Sequence, residues 1–125
     1  MKRGSNPIKT EKRKAWERVS KKVRERDPYC VSCLMEGLTV PSVHAGHYQY
    51  NTERNQLLGG NALWYDLRNI NGQCNSCNMY KSGNLAPYAR YLKEKYGHEI
   101  LDELYQLWRT PRKYTLEEIE AVASS

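Results

Sequence analysis

The first apolar stripe of the chain falls at helical spacing. Trp16, Val19 and Val23 share one face of a stretch from Thr10 to Arg26 that is otherwise rich in basic residues. Asp27-Pro28 ends this predicted helix, because the residue before proline avoids the α region. The stripe is narrow, so the helix is expected to dock through Trp16 and leave a basic face free. Ahead of it, residues 1–8 contain Gly4, Ser5, Asn6 and Pro7 and read as a flexible leader.

The pattern then changes period. Between Val40 and Tyr50, Val43, Ala45, His47 and Gln49 alternate with Ser42, His44, Gly46 and Tyr48, which predicts a strand. A regular strand puts His44 and His47 on opposite faces, and Gly46 is a candidate bulge. Asn51 to Asn61 is polar, contains Gly59-Gly60 and reads as an exposed loop whose Arg54 and amides are solvated or face DNA. Leu63 to Ile70 brings the chain back with Leu63, Trp64, Tyr65, Leu67 and Ile70, placing Asn69 on a returning strand. Asn71-Gly72 is a turn signal, and a short helix from Asn75 to Ser82 stops at Gly83.

The last third is helical throughout. Pro87 suits the first turn of a helix carrying Tyr88, Tyr91, Leu92 and Tyr96 and closed by Gly97. A second helix, His98 to Arg109, carries Ile100, Leu101, Leu104, Leu107 and Trp108 and ends at Pro111. Thr115-x-x-Glu118 is a capping box for a final helix bearing Leu116, Ile119 and Val122. These stripes either pack back on the rest of the chain or form the contact of a homodimer. The elements give a small α+β protein: a basic arm over residues 1–27, a hairpin-and-helix core over 28–85 and a helical extension over 86–125.

Composition explains why such a core needs help. Hydrophobic residues are 39% of the 125, there is no Phe, and ten Tyr and three Trp supply the aromatic bulk. A thin core usually carries a staple, and the four cysteines provide one. They form two Cys-x-x-Cys pairs, Cys30/Cys33 and Cys74/Cys77, which suit four thiolates around one zinc ion. Disulfides are the alternative. No apolar signal segment opens the chain and no run could span a membrane, so a reducing, intracellular setting is expected and metal is favoured.

Charge is uneven along the chain. The net charge is +6, yet residues 1–26 hold 11 of the 20 Lys and Arg against three acids, and the remainder is slightly acidic. A positive field confined to the arm suits a polyanion such as nucleic acid, although a solvated, solubilising arm has the same composition. Lys12, Arg13, Lys14, Arg18, Lys21, Lys22, Arg68 and Lys81 are the candidate DNA contacts.

A four-thiolate zinc site has no open position, so chemistry must lie elsewhere. His47, between the two cysteine pairs, is the candidate general base. A neutral imidazole can take a proton from water attacking phosphorus. Asn69, five residues before Cys74, is placed to orient it. Asn78, just after Cys77, can offer an amide oxygen to a divalent cation, Mg²⁺ or Mn²⁺.

The segments Cys30-Val-Ser-Cys33, His44-Ala-Gly-His47-Tyr48, Arg68-Asn69-Ile70, Gln73-Cys74-x-x-Cys77-Asn78 and Lys81-Ser82-Gly83-Asn84-Leu85-x-Pro87-Tyr88 resemble the NinG family of lambdoid phages, also called Rap, recombination endonucleases acting on branched DNA. The knuckles and the Cys-Asn junction are also similar to phage recombination endonuclease VII, of the HNH or ββα-metal superfamily. The resemblance implies a ββα-metal fold, structural zinc, catalytic Mg²⁺ and cleavage of Holliday junctions in the cytoplasm of a bacterial host. His47 would be the general base, Asn69 its positioning residue and Asn78 a ligand of the catalytic cation. Two positions depart from the pattern. HNH enzymes commonly place Asp or His just before the catalytic histidine, where this chain has Gly46. NinG-like chains tend to have an acid three positions before it, where this chain has His44, an imidazole that can bind a divalent metal but favours softer ions. An HNH nicking enzyme without junction preference and a non-catalytic, zinc-stabilised nucleic-acid-binding module remain the alternatives.

Overall fold

A two-stranded antiparallel ribbon lies between a long N-terminal helix and a group of shorter helices in the computed structural model, which describes residues 7–57 and 59–125. The helices are α1 (Pro7–Arg26), α2 (Val31–Met35), α3 (Glu53–Leu57), α4 (Leu85–Tyr96), α5 (Ile100–Trp108) and α6 (Leu116–Ser124). The strands are β1 (His44–His47) and β2 (Ile70–Gln73), and a π-helical turn, Ser76–Tyr80, follows β2. Of the expected leader, residues 1–6 lie outside the described residues, as does the side chain of Arg54.

Helix α1 begins at Pro7, earlier than the stripe suggests, since proline is at home in a first helical turn. Its buried face is Ala15, Val19, Ser20 and Val23, and Trp16 is 39% exposed at the edge of that face. Trp16 thus docks at the edge of the face, and Val19 and Val23 fill its buried centre. Val19 and Val23 pack with Ile70, Ala45, Tyr65, Leu67 and Val122, so one side of the ribbon and the last helix close on α1.

The second strand is shorter and later than expected. Leu63 to Arg68 is a run of turns that buries Leu63, and the strand begins at Ile70, so Asn69 precedes it. Asn71-Gly72 is not a turn: both residues pair with β1, in the register His44↔Gln73, Ala45↔Gly72, Gly46↔Asn71 and His47↔Ile70. Glycine at 72 answers a close approach instead. A Cβ there would meet the Asp27 carbonyl oxygen at 2.7 Å and Ser42 Oγ at 2.9 Å. The register is regular through Gly46, without a bulge. The loop after β1 is not wholly irregular either, since it contains α3 and ends on Asn61, which is buried.

The other side of the ribbon meets the helices. Val31, Leu63, Tyr88, Leu92, Ile100 and Leu104 form one buried cluster, and Ile119 of α6 is buried as well. The buried positions of the apolar stripes of α4, α5 and α6 thus pack back within the chain. Thr115 caps α6 with the predicted box, its side chain accepting from Glu118 N while the Glu118 carboxylate accepts from Thr115 N. No helix of the described residues is long and apolar enough to cross a membrane.

Candidate metal centre and histidine cleft

Cys30 caps α2 and Cys33 lies within it, while Cys74 follows β2 and Cys77 lies in the π-helical turn. Folding brings the two knuckles together, and all four Sγ atoms fall within 4.8 Å of one another. Cys33 Sγ is 3.8 Å from Cys74 Sγ and 3.6 Å from Cys77 Sγ. Sulfurs held tetrahedrally at a zinc–sulfur length of about 2.3 Å stand about 3.8 Å apart, so the cluster fits zinc. The thiols are free, and their spacing is far too long for disulfides. Cys33 N and Cys77 N donate to Cys30 Sγ and Cys74 Sγ at 3.5 Å, and Asn84 Nδ2 donates to Cys77 Sγ at 3.4 Å. Such donors favour thiolates and orient them. Burial pushes the Cys33 thiol upward, so several thiolates here need a cation among them. Among the described residues this is the one group of three or more His, Cys, Asp and Glu side chains placed to share an ion.

His47 ends β1 on the side that faces α1. Trp16 stacks on its ring, with centroids 5.1 Å apart and planes 15° apart. Among the described residues neither ring nitrogen has a protein hydrogen-bond partner, and burial lowers the ring's pKa below the usual histidine value. The imidazole is therefore neutral at pH 7 and able to accept a proton. It lies between two clefts. One, of about 440 Å³, is lined by His47, Tyr48, Asn78, Ser82, Gly83 and Leu85 among others. The other, of about 330 Å³, is lined by Lys12, Arg13, Trp16, His47, Asn51, Trp64 and Tyr65. A larger cavity of about 520 Å³ lies elsewhere, beside Arg68 and the carboxylates of Glu99, Asp102 and Glu103. Its acids make it a poor seat for a polyanion.

Across the ribbon from Trp16, two carboxamide oxygens converge on Gly46. A Cβ at Gly46 would lie 2.0 Å from Gln73 Oε1 and 3.0 Å from Asn78 Oδ1. Gln73 is fully buried, and its Nε2 donates to Ser32 Oγ at 2.9 Å and to the Gly83 carbonyl at 2.7 Å. Residues 82–84 run with positive φ at Ser82, Gly83 and Asn84. Left-handed non-glycine residues cost about 1–2 kcal/mol each, and here they turn the Gly83 carbonyl toward Gln73 and the Asn84 amide toward the cysteines.

The other expected site residues divide. The Asn69 side chain bonds to Gln49 rather than to His47. Its Oδ1 accepts from Gln49 N at 2.8 Å and its Nδ2 donates to Gln49 O at 2.9 Å, clamping the backbone two residues beyond the histidine. His44 does not line the cleft of His47 and Asn78, and its Nε2 lies 3.1 Å from Asn75 Oδ1. Lys12 and Arg13 stand beside His47, and Lys14, Lys21 and Lys81 are exposed. Arg18 and Lys22 reach Ser125 instead. Arg68 is engaged within the chain. It is held by both oxygens of Asp66 and by Glu103, at 2.7–3.0 Å. Sequence reasoning misses two residues, Trp16 as a partner of His47, and Gln73. The one signal for Gln73 is its place beside Cys74, and it acquires meaning only through the pairing of β1 with β2.

Comparison with known proteins supports the resemblance to the NinG family. The family described as Bacteriophage Lambda NinG protein matches residues 3–125. The protein ninG of Escherichia phage 933W is 38% identical over 99 residues, covering 79% of this chain and 45% of that protein. That of Escherichia phage lambda is 37% identical over 99 residues, 79% of this chain and 44% of its own. That of Enterobacteria phage H19B is 36% identical over 111 residues, 88% of this chain and 51% of its own. The chain thus spans about half the length of the curated relatives it matches. No solved structure matches it.

Proposed function

Since the chain belongs to the NinG protein family of bacteriophage lambda and its relatives, we propose that it is an HNH-type, metal-dependent DNA endonuclease with a ββα-metal core, acting at branched recombination intermediates. The observation that carries this reading is the position of His47. A neutral imidazole lies between a cleft walled by Lys12 and Arg13 and a cleft containing the Asn78 carboxamide. The two cations suit the phosphates on either side of a scissile bond. His47 takes a proton from a water molecule as its oxygen attacks phosphorus, and the bond from phosphorus to the leaving sugar oxygen breaks. Asn69 acts on this step through the backbone, by fixing Gln49 and with it the end of β1. Asn78 Oδ1 would hold a Mg²⁺ or Mn²⁺ ion, which supplies charge stabilisation at the phosphate and the leaving oxygen. The zinc cluster takes no part in that chemistry and holds the two halves of the cleft together.

Burial of the helical stripes favours a second reading. Resolving a four-way junction takes two symmetric nicks, most simply made by a two-fold dimer, yet Tyr88, Leu92, Ile100, Leu104 and Ile119 are consumed inside the chain. A monomer that nicks DNA without junction preference is the alternative. Incubation of the zinc-loaded chain with linear, nicked and four-way DNA, with Mg²⁺, Mn²⁺ or EDTA, separates the two. The expected result is cation-dependent cutting concentrated on the four-way substrate. Equal cutting of all three supports the nicking enzyme, and binding without any cutting leaves only a nucleic-acid-binding module.

A further inference from the structure

Gln73 Oε1 is buried and has no hydrogen-bond partner. Its orientation is not arbitrary, because the Gly83 carbonyl can only accept and so fixes which end of the carboxamide is nitrogen. The oxygen must then face Gly46. There it meets no donor, and Asn78 Oδ1 lies within 3.0 Å of the same point. A buried oxygen without a donor, joined at the same point by a second carboxamide oxygen, makes a cation site rather than a hydrogen-bond pair. Glycine at 46 is what allows this, since any Cβ would occupy the place of the Gln73 oxygen.

We propose that the Gln73 and Asn78 carboxamide oxygens together ligate a divalent cation at Gly46, Gln73 supplying from β2 the oxygen that residue 46 cannot. This rests on the nuclease reading only for the cation's use, not for its binding. Both ligands are neutral, so the free protein holds Mg²⁺ weakly, and a DNA phosphate supplies the negative charge that tightens it. The assignment also gives the left-handed run Ser82–Asn84 a purpose, because its carbonyl aims Gln73.

The test is a Mg²⁺ titration of the zinc-loaded chain, followed by the side-chain carboxamide resonances of Gln73 and Asn78 in NMR spectra. Both are expected to shift saturably with one shared midpoint. Gly46→Ala, with zinc content checked, is expected to raise that midpoint at least ten-fold. A shift at Asn78 alone, no shift at either residue, or an unchanged midpoint in a zinc-replete Gly46→Ala protein each overturns the assignment. The wild-type measurement stands even if the variant does not fold. DNA cutting by a protein whose Gln73 ignores Mg²⁺ defeats this inference alone. A responsive Gln73 in a protein that cuts no DNA keeps the cation site and defeats the nuclease reading.

Discussion

Trp16 lies nearly parallel to the ring of His47, 5.1 Å from it between centroids. One residue comes from the first helix and the other from the end of β1, so the candidate base has a wall that the ββ unit does not itself supply. Replacing Trp16 with Ala opens the ring to water. The His47 pKa, lowered by burial in the native chain, should rise toward the ordinary histidine value, as an NMR titration of the ring would record. The stability cost should be about 1–2 kcal/mol, a usual figure for removing a partly exposed aromatic side chain from its neighbour.

The pH dependence has a fixed sign. Because the folded His47 binds its proton less readily than the unfolded chain, stability is full above the unfolded value of about 6.5. It is lost as pH falls from there through the lowered folded value. Cleavage should fall on the acid side with the same folded ionisation, and in Trp16→Ala that limb should move to higher pH. A rate profile whose acid limb stays put when Trp16 is removed would show that another group is the base.

Removal of the His47 ring should separate chemistry from structure. His47→Ala is expected to cut DNA about 10²-fold more slowly or worse, as when other general bases are removed, while zinc content and DNA affinity persist. Cleavage at the native rate would make His47 a bystander.

Zinc should be stoichiometric and structural. Elemental analysis should return one ion per chain, and changing any of Cys30, Cys33, Cys74 and Cys77 to Ser should release it. Because metal affinity is folding energy in a domain this small, chelation should also abolish the thermal transition. A metal-free protein that melts cooperatively would contradict this.

Lys12 and Arg13 should differ sharply from Arg68. Neutralising either of the first two should flatten the salt dependence of DNA binding, the log–log slope falling by about 0.9 for each phosphate left without its cation. Arg68→Ala should leave the slope alone and cost about 1 kcal/mol of stability, the usual worth of a partly exposed ion pair, because its guanidinium belongs to Asp66 and Glu103.

The parts of this fold that can be read from sequence are those with local causes. Cysteine spacing announces the metal cluster, and the Thr115–Glu118 box announces α6 at its correct start. The second strand cannot be found that way. Asn71-Gly72 has the composition of a turn, but Asn71 is there to bridge Arg26 and the Tyr88 hydroxyl, and Gly72 to let Asp27 come close. Both partners are distant in sequence. The apolar run Leu63–Leu67 imitates a strand while serving the core as turns. Asn78 and His47 are visible through their distance from the cysteines. Gln73 is not, because an unpaired oxygen is a property of the folded neighbourhood and not of the residue.

The packing of α6 on α1 has a consequence for synthesis. Val122 joins Val19 and Val23, so α1 is clamped by a helix that follows every other described element in the chain. A ribosome that has released residues 7–110 has already presented both cysteine knuckles and His47, and the ribbon can close around them. The helix carrying Trp16, Lys12 and Arg13 is still without its clamp at that moment. The wall of the histidine cleft is therefore the last part of the site to be secured, although its residues precede His47 and both cysteine pairs in the chain.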